Sequence, residues 1–164
     1  ADMGRMIDAY LDFARGEGGE QTVRTDLNTI LERITSGMKR QGGEVVLDTD
    51  GDLSLHLRPV AMERSLSNLI NNARKYGGDI WVCAKRTAEA IEITIEDNGP
   101  GIPEDKIEDV FRPFYRIDES RNPNTGGVGL GLPIAQDIIH SHGGEISLSR
   151  SKHGGLKVFV RIPV

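Results

Sequence analysis

The sequence predicts an α+β protein, a two-layer α/β sandwich in which a mixed, largely antiparallel sheet carries helices on one of its faces. Three observations predict it. Over residues 91–96 apolar and polar side chains alternate strictly, Ile91, Ile93 and Ile95 on one parity and Glu92, Thr94 and Glu96 on the other, which marks a strand with one dry face. Residues 26–40 and 59–76 instead repeat their apolar side chains at intervals of three and four, as helices with a single apolar stripe do. Glycine pairs at Gly42-Gly43, Gly77-Gly78 and Gly154-Gly155 punctuate these periods, and no internal repeat or low-complexity segment interrupts the sandwich.

The 164 residues suffice for one domain of ordinary size with a short appendage, and for a real core. A net charge of −5 argues against the basic patch that a nucleic-acid-binding surface needs. The single cysteine, Cys83, has no second cysteine to pair with, which excludes a disulfide framework and points to a reducing compartment; its place in an apolar strand pattern predicts a core position. No apolar run approaches the ~20 residues that cross a bilayer, and no basic-then-apolar leader opens the chain. The piece is expected to be soluble and to make no membrane contact itself.

Met3, Ile7, Tyr10 and Ala14 repeat at spacings of four and three, the seam of a helix that packs lengthwise on another, and the pattern stops at Gly16-Glu17-Gly18-Gly19. Thr25 is the predicted N-cap of a helix over residues 26–40, with Leu27, Ile30, Leu31 and Ile34 as its apolar face. The period then falls to two. Val45 and Leu47, then Leu53, Leu55 and Leu57, flank Asp50-Gly51-Asp52, which predicts two strands and a tight turn, with His56 facing outward.

Pro59 is placed to open the next helix at its first position, and Gly77-Gly78 to stop it. Met62, Leu66, Leu69, Ile70 and Ala73 form the apolar stripe of this helix, while Asn68, Asn72 and Lys75 gather on another face. Asparagine is a mediocre helix former, so two of them a turn apart cost stability unless their amides have polar work. Arg74 lies off that face and is expected at the surface.

Strands are predicted over residues 80–85 and 91–96, joined through Thr87-Ala88-Glu89. Asp97 inherits the inward parity of the second. A carboxylate at the buried end of a strand needs a donor, because leaving it unpaired there is costly or forces it to take up a proton. A short helix over residues 107–111 and a polar, aperiodic loop over 117–126 come next. In the helix expected from about residue 129 to 142, Pro133 is tolerated in the first turn and Gly143 is placed to end it, with His140 and His142 in structural positions at its close. Ile146 and Leu148, then Leu156, Val158, Val160 and Ile162, give two closing strands around Gly154-Gly155.

Four short stretches stand out in order: Asn68-Leu69-Ile70-Asn71-Asn72-Ala73-Arg74-Lys75-Tyr76, Asp97-Asn98-Gly99-Pro100-Gly101-Ile102, Phe111-Arg112-Pro113-Phe114-Tyr115-Arg116 and Gly127-Val128-Gly129-Leu130-Gly131-Leu132. Together they resemble the asparagine, first glycine, phenylalanine and second glycine boxes of the catalytic ATP-binding domain of sensor histidine kinases, members of the GHKL, or Bergerat-type, ATPase superfamily. The likeness covers about residues 25 to 164. In spacing and closing strand it is most similar to the EnvZ type of osmosensor kinase. It implies the Bergerat ATP-binding fold for residues 19–164, and for residues 1–18 the end of a dimerisation and phosphoacceptor helix with its linker.

The resemblance also implies ATP as the ligand and Mg2+ as its companion. An adenine ring asks for a flat apolar slot and one acceptor for its amino group: Asp97 supplies the acceptor, Tyr76 and Ile102 the walls, and Gly99 and Gly101 a backbone able to come close. The phosphates fall to Gly127, Gly129, Leu130, Gly131 and Leu132, at the start of a helix whose orphan N–H groups favour an anion. Lys75 and Asn68 line the same pocket, Arg116 is assigned to the charge on the transferring group, and the family's magnesium ligand corresponds to Asn72.

In that family the phosphate goes to a histidine on a helical hairpin, followed at once by an acidic residue and soon by a proline. None of His56, His140, His142 and His153 has that context, so the acceptor is expected upstream of residue 1 and the piece alone is expected to have nothing to phosphorylate. The implied partners are the dimerisation and phosphoacceptor domain of the same protein, in a homodimer, and a response regulator, on the cytoplasmic side of an inner-membrane sensor. An alternative is a nucleotide-sensing regulatory module of the same fold that binds ATP without transferring phosphate. Anti-sigma serine kinases, chaperones and DNA topoisomerases share the broad fold, but the seam at residues 3–14 fits a histidine kinase hairpin.

Overall fold

Alternating apolar residues build the sheet and helical stripes roof it. The computed structural model describes residues 20–40, 44–76, 78–100, 102, 105 and 131–164, without the side chains of residues 75, 76 and 131. The expected seam at residues 3–14, the short helix at 107–111 and the loop at 117–126 lie outside the described residues, as do Gly101, Arg116, Gly127, Gly129 and Leu130 of the candidate site. The described elements are β1 (Val23–Asp26), α1 (Leu27–Arg40), β2 (Val45–Asp50), β3 (Ser54–Leu57), α2 (Pro59–Tyr76), β4 (Ile80–Arg86), β5 (Ala90–Asp97), α3 (Gly131–Ser141), β6 (Glu145–Arg150) and β7 (Leu156–Pro163). Among them no helix is long and apolar enough to cross a membrane.

The main sheet has the strand order β2-β4-β5-β7-β6, with β2 parallel to β4 and every other pair antiparallel, so the mixed, mostly antiparallel sandwich is the fold found. Its inner face is the predicted parity: Ile80, Val82, Ile91, Ile93, Ile95, Val158, Val160 and Ile162 are buried against Met62, Leu66, Leu69, Ile70 and Ala73 of α2. Each fully buried Ile or Leu contributes about 1.5–3 kcal/mol, so this one interface dominates the fold.

The outer face carries no helix among the described residues. Across it run Asp50, Lys85, Glu92, Arg161 and Glu145 in register, a row of alternating sign that suits solvent. Cys83, expected in the core, is on this outer face and exposed. The run Ile80 to Ala84 is apolar on both parities, and only the parity facing α2 is buried.

Two local expectations are corrected. The segments flanking Asp50-Gly51-Asp52 are both strands, and Gly51 takes a left-handed φ of 86°, but they do not form a hairpin with each other. β2 pairs in parallel with β4, while β3 pairs antiparallel with β1 in a separate two-stranded sheet. The turn is held by Arg86 Nη1, which donates to the carbonyls of Asp52 and Ser54 at 3.0 Å, and by the Ser54 N–H, whose bond to Asp52 Oδ1 holds that exposed carboxyl below the usual carboxylate range. Thr25 is not the cap of α1. It belongs to β1, opposite Leu55, and the cap is Asp26, whose Oδ1 accepts the Asn28 N–H at 2.9 Å.

The start of α2 is capped from a distance. Glu20 Oε2 accepts the Val60 N–H at 2.7 Å and Glu20 Oε1 the Ala61 N–H at 2.9 Å, which satisfies two orphan donors and places a negative charge at the positive end of the helix. Glu20→Ala is expected to cost about 1–2 kcal/mol, and Glu20→Gln, which keeps one carbonyl acceptor, about half as much. Thermal unfolding of the two variants checks the order.

α3 ends in a Schellman motif, with the Gly143 N–H donating to His140 O and the Gly144 N–H to Ile139 O at 2.9 and 3.0 Å, and with Gly143 at a φ of 77°. His142 is structural, as expected: its Nδ1 lies 2.8 Å from Ile138 O and its Nε2 accepts the Arg58 N–H at 3.1 Å. The same residue thus closes α3 and fixes the start of α2.

Candidate functional site

Asp97 is the most informative side chain of the site. It ends β5 on the inward parity and is 2% exposed. Its Oδ1 accepts the Gly99 N–H at 2.9 Å and the Leu156 N–H at 3.2 Å, and its own carbonyl accepts the Gly155 N–H at 3.2 Å. The donors that its burial demanded are therefore backbone amides from the box that follows and from the turn before β7. Both hydrogen bonds that its carboxylate receives among the described residues fall on Oδ1, and none of them uses Oδ2.

Gly155 makes this arrangement possible. A Cβ there would lie 2.0 Å from Asp97 Oδ1 and 2.7 Å from the Gly99 nitrogen. The turn comes this close to the carboxylate only because it has no side chain.

Asn98 joins the site to α2. Its Oδ1 accepts the N–H groups of Gly78 and Asp79 at 3.1 and 3.0 Å, and its Nδ2 donates to Asp79 Oδ2 at 3.1 Å. The residues just past α2 are thereby pinned beside Asp97, and Asp97 is also opposite Ile80 in the register of β4 and β5. The end of α2 and the end of β5 form one corner of the molecule.

α3 approaches the same corner from the other side. Ser65 Oγ donates to Ala135 O at 3.2 Å and the Arg58 N–H to His142 Nε2, a step of seven residues in opposite directions along the two helices. α2 and α3 are therefore antiparallel. Continued by one turn, that register sets the start of α3, at Gly131, level with Leu69, between Asn68 and Asn72. The described start of α3 is thus placed near the asparagine face of α2, and the N-terminal end of a helix carries its positive dipole.

Of the predicted site residues, Asn68 and Asn72 lie on α2, Asp97 and Gly99 are hydrogen-bonded to each other at the end of β5, and Gly131 and Leu132 lie at the start of α3. Both asparagines are half-buried, and neither amide makes a hydrogen bond with the protein among the described residues. Ile102 is partly buried against the core and Leu132 is buried. Lys75 and Tyr76 fall in the last turn of α2. Arg74, expected at the surface, is half-buried, and its Nη1 is shut off from solvent with no hydrogen-bond partner. Its stem follows Ile70 by one turn, which draws it toward the apolar stripe.

Sequence reasoning missed Asn98, Gly155 and Leu156. For Asn98 the signal was present, since Asn directly after a strand favours bonds to nearby backbone. Gly154-Gly155 reads as a turn, and nothing local says which atoms the turn approaches.

Among the described residues no group of three or more His, Cys, Asp or Glu is placed to hold a metal. A cation here would take its ligands chiefly from an anion and from few protein groups. The amide oxygen of Asn72, which makes no hydrogen bond among the described residues, would suit a hard ion bound together with phosphate oxygens.

A family model described as "Histidine kinase-, DNA gyrase B-, and HSP90-like ATPase" matches residues 58–164. The chain is similar to the sensor histidine kinase GtrS of Pseudomonas aeruginosa, with 36% identity over 144 residues that cover 88% of the chain and 29% of the relative. It is also similar to the sensor histidine kinase CpxA of Escherichia coli K12, with 40% identity over 115 residues, 70% of the chain and 25% of the relative. Among solved structures, the ATP-binding domain of PrrB from Mycobacterium tuberculosis matches with a TM-score of 0.73 at 28% identity, over 88% of this chain and 98% of that one. The chain thus spans less than a third of the length of either relative and corresponds to nearly all of the isolated domain.

Proposed function

Because this chain belongs to the family of histidine kinase-, DNA gyrase B- and HSP90-like ATPases, we propose that it is the catalytic domain of a two-component sensor histidine kinase, which passes the γ-phosphoryl group of ATP to a histidine on a dimerisation hairpin. The reading rests above all on Asp97, a buried carboxylate with one oxygen held by two backbone amides and the other open to a donor such as the adenine amino group. Tyr76 and Ile102 wall the base, and Gly99 and Gly101 let the backbone approach it. The amides at Gly127, Gly129, Leu130, Gly131 and Leu132 receive the phosphates at the start of α3, with Lys75 and Asn68 alongside.

Arg116 stabilises charge on the transferring group while the bond from γ-phosphorus to the β-phosphate oxygen breaks and a bond to the acceptor imidazole nitrogen forms, releasing ADP. Asn72 would hold Mg2+ through its amide oxygen, and the ion would supply neutralisation of phosphate charge. The chain's own contribution is position: adenine at Asp97, phosphates at the mouth of α3. Residues 1–18 are the end of the dimerisation and phosphoacceptor helix, residues 19–164 the catalytic domain, and the parent is a homodimeric sensor whose cytoplasmic part serves a response regulator.

Mixing the chain with ATP, Mg2+ and the hairpin domain of its own parent is expected to give acid-labile, base-stable phosphohistidine on the hairpin. Nucleotide binding without any transfer would favour a regulatory module over a kinase. Asn72→Ala is expected to slow that transfer by at least about 10- to 100-fold, the loss seen when even an outer-shell partner of a bound metal is removed. Single-turnover kinetics with radiolabelled ATP check it.

A further inference from the structure

Trp81 and His153 sit on the far side of the sheet from α2, yet they bear on Asp97. The Trp81 and His153 rings are stacked, with centroids 3.6 Å apart and planes within 5°. Trp81 is on β4, on the outward parity, opposite Glu96 of β5, which is itself opposite Lys157 of β7. His153 lies in the turn between β6 and β7. The stack therefore spans the end of β5 from one flanking strand to the turn that precedes the other, one residue short of Asp97.

The turn is tied together by its own hydrogen bonds. The Ser151 N–H donates to Gly155 O at 2.8 Å, the Gly154 N–H to Ser151 O at 3.0 Å and the His153 N–H to Ser151 Oγ at 3.0 Å. Ser151, 5% exposed, in turn donates through Oγ to Glu96 Oε1 at 3.1 Å. A force on the His153 ring is thus passed to Gly155 and Leu156, whose N–H groups bond the Asp97 carbonyl and Oδ1, each at 3.2 Å. These are long bonds near the limit of a good N–H···O contact, so a shift of a few tenths of an ångström weakens them. The Gly99 bond alone would then fix Oδ1 and let the carboxylate turn.

We infer that the Trp81–His153 stack is a positioning clamp for purine recognition: it holds the turn at residues 151–155 against β5 so that Asp97 keeps its free oxygen aimed at the amino group of the base. Trp81 and His153 touch no ligand and act through Gly155 and Leu156. The inference rests on the reading of Asp97 as the purine acceptor.

The test compares two probes on the full chain, ADP and the diphosphate of purine riboside, which lacks the exocyclic amino group. Wild type is expected to prefer ADP. In His153→Ala the ADP affinity falls about tenfold, the scale of one weakened hydrogen bond, while the affinity for the amino-free analogue stays within about twofold. His153→Phe, which keeps a flat ring on Trp81, restores the preference. Trp81 is the single tryptophan of the chain, so its emission reports the stack directly: it changes in His153→Ala and recovers only in part in His153→Phe. Should His153→Ala not fold, Trp81→Leu gives the same comparison from the other ring.

If wild type prefers ADP and the alanine variant keeps that preference undiminished, or loses both nucleotides equally, the clamp is refuted and the purine reading survives. If wild type does not distinguish the two probes, the reading of Asp97 fails and the clamp with it.

Discussion

Asp97→Asn is expected to weaken ADP binding about 100-fold, or ~2.7 kcal/mol, with little change in the folded architecture. The two sides of this carboxylate are both addressed by donors. Gly99 and Leu156 point N–H groups at Oδ1, and the adenine amino group is assigned to the other oxygen. An aspartate accepts on both sides, whereas an asparagine accepts on one and donates on the other. If its oxygen stays with the two backbone amides, its NH2 meets the adenine amino group and two donors face each other. If it flips, two backbone N–H groups in a site only 2% exposed lose their acceptor, which costs about 1–3 kcal/mol for each buried donor left unmade.

The first orientation spares the fold and destroys recognition, so the unfolding midpoint should move far less than the affinity. Titration calorimetry with ADP, paired with urea unfolding, separates the two. An affinity within about threefold of wild type would place the base elsewhere and remove the main support for the nucleotide pocket.

How much of this could be read beforehand differs from residue to residue for physical reasons. The inward parity of Asp97 was legible because the alternation over residues 91–96 is strict and one face is dry, and a shift of one residue would have exposed every isoleucine. The asparagine face of α2 was legible because helical spacing fixes which side chains share a side. The partner of β2 was not: strand pairing is decided by contacts far apart in sequence, and a turn-like Asp50-Gly51-Asp52 suggested the nearest neighbour instead of β4.

β1 escaped because three of its four residues are exposed and it shows no dry face to alternate about. Glu20 escaped for a related reason, since it caps a helix that begins some forty residues later, while capping signals are local. Cys83 was misplaced because β4 is apolar on both parities. Only the knowledge that helices cover a single face separates Val82 from Cys83.

Gly155→Ala is expected to be the most damaging small substitution at the site, costing about 3–5 kcal/mol of stability together with nucleotide binding. The added methyl would have to occupy a point 2.0 Å from Asp97 Oδ1, 2.6 Å from Asp97 O and 2.7 Å from the Gly99 nitrogen. Two of these are backbone atoms and the third is fixed by two N–H bonds, so no flexible side chain can step aside. The turn must retreat instead, which breaks the Gly155 bond to the Asp97 carbonyl and the Leu156 bond to its carboxylate. A buried carboxylate left with one partner then adds its own penalty.

Gly143→Ala provides the contrast. There φ is 77° and a Cβ meets nothing within 4 Å, so its cost is the left-handed backbone alone, about 1–2 kcal/mol, and ADP affinity is untouched. Urea unfolding of the two variants side by side distinguishes a glycine kept for its dihedral angle from one kept for the space it leaves. If Gly155→Ala came within about 1 kcal/mol of wild type, a typical point-mutation effect, the turn would have room to withdraw. In that case Asp97 would be held in place mainly by Gly99, and the amides of Gly155 and Leu156 would be dispensable to it.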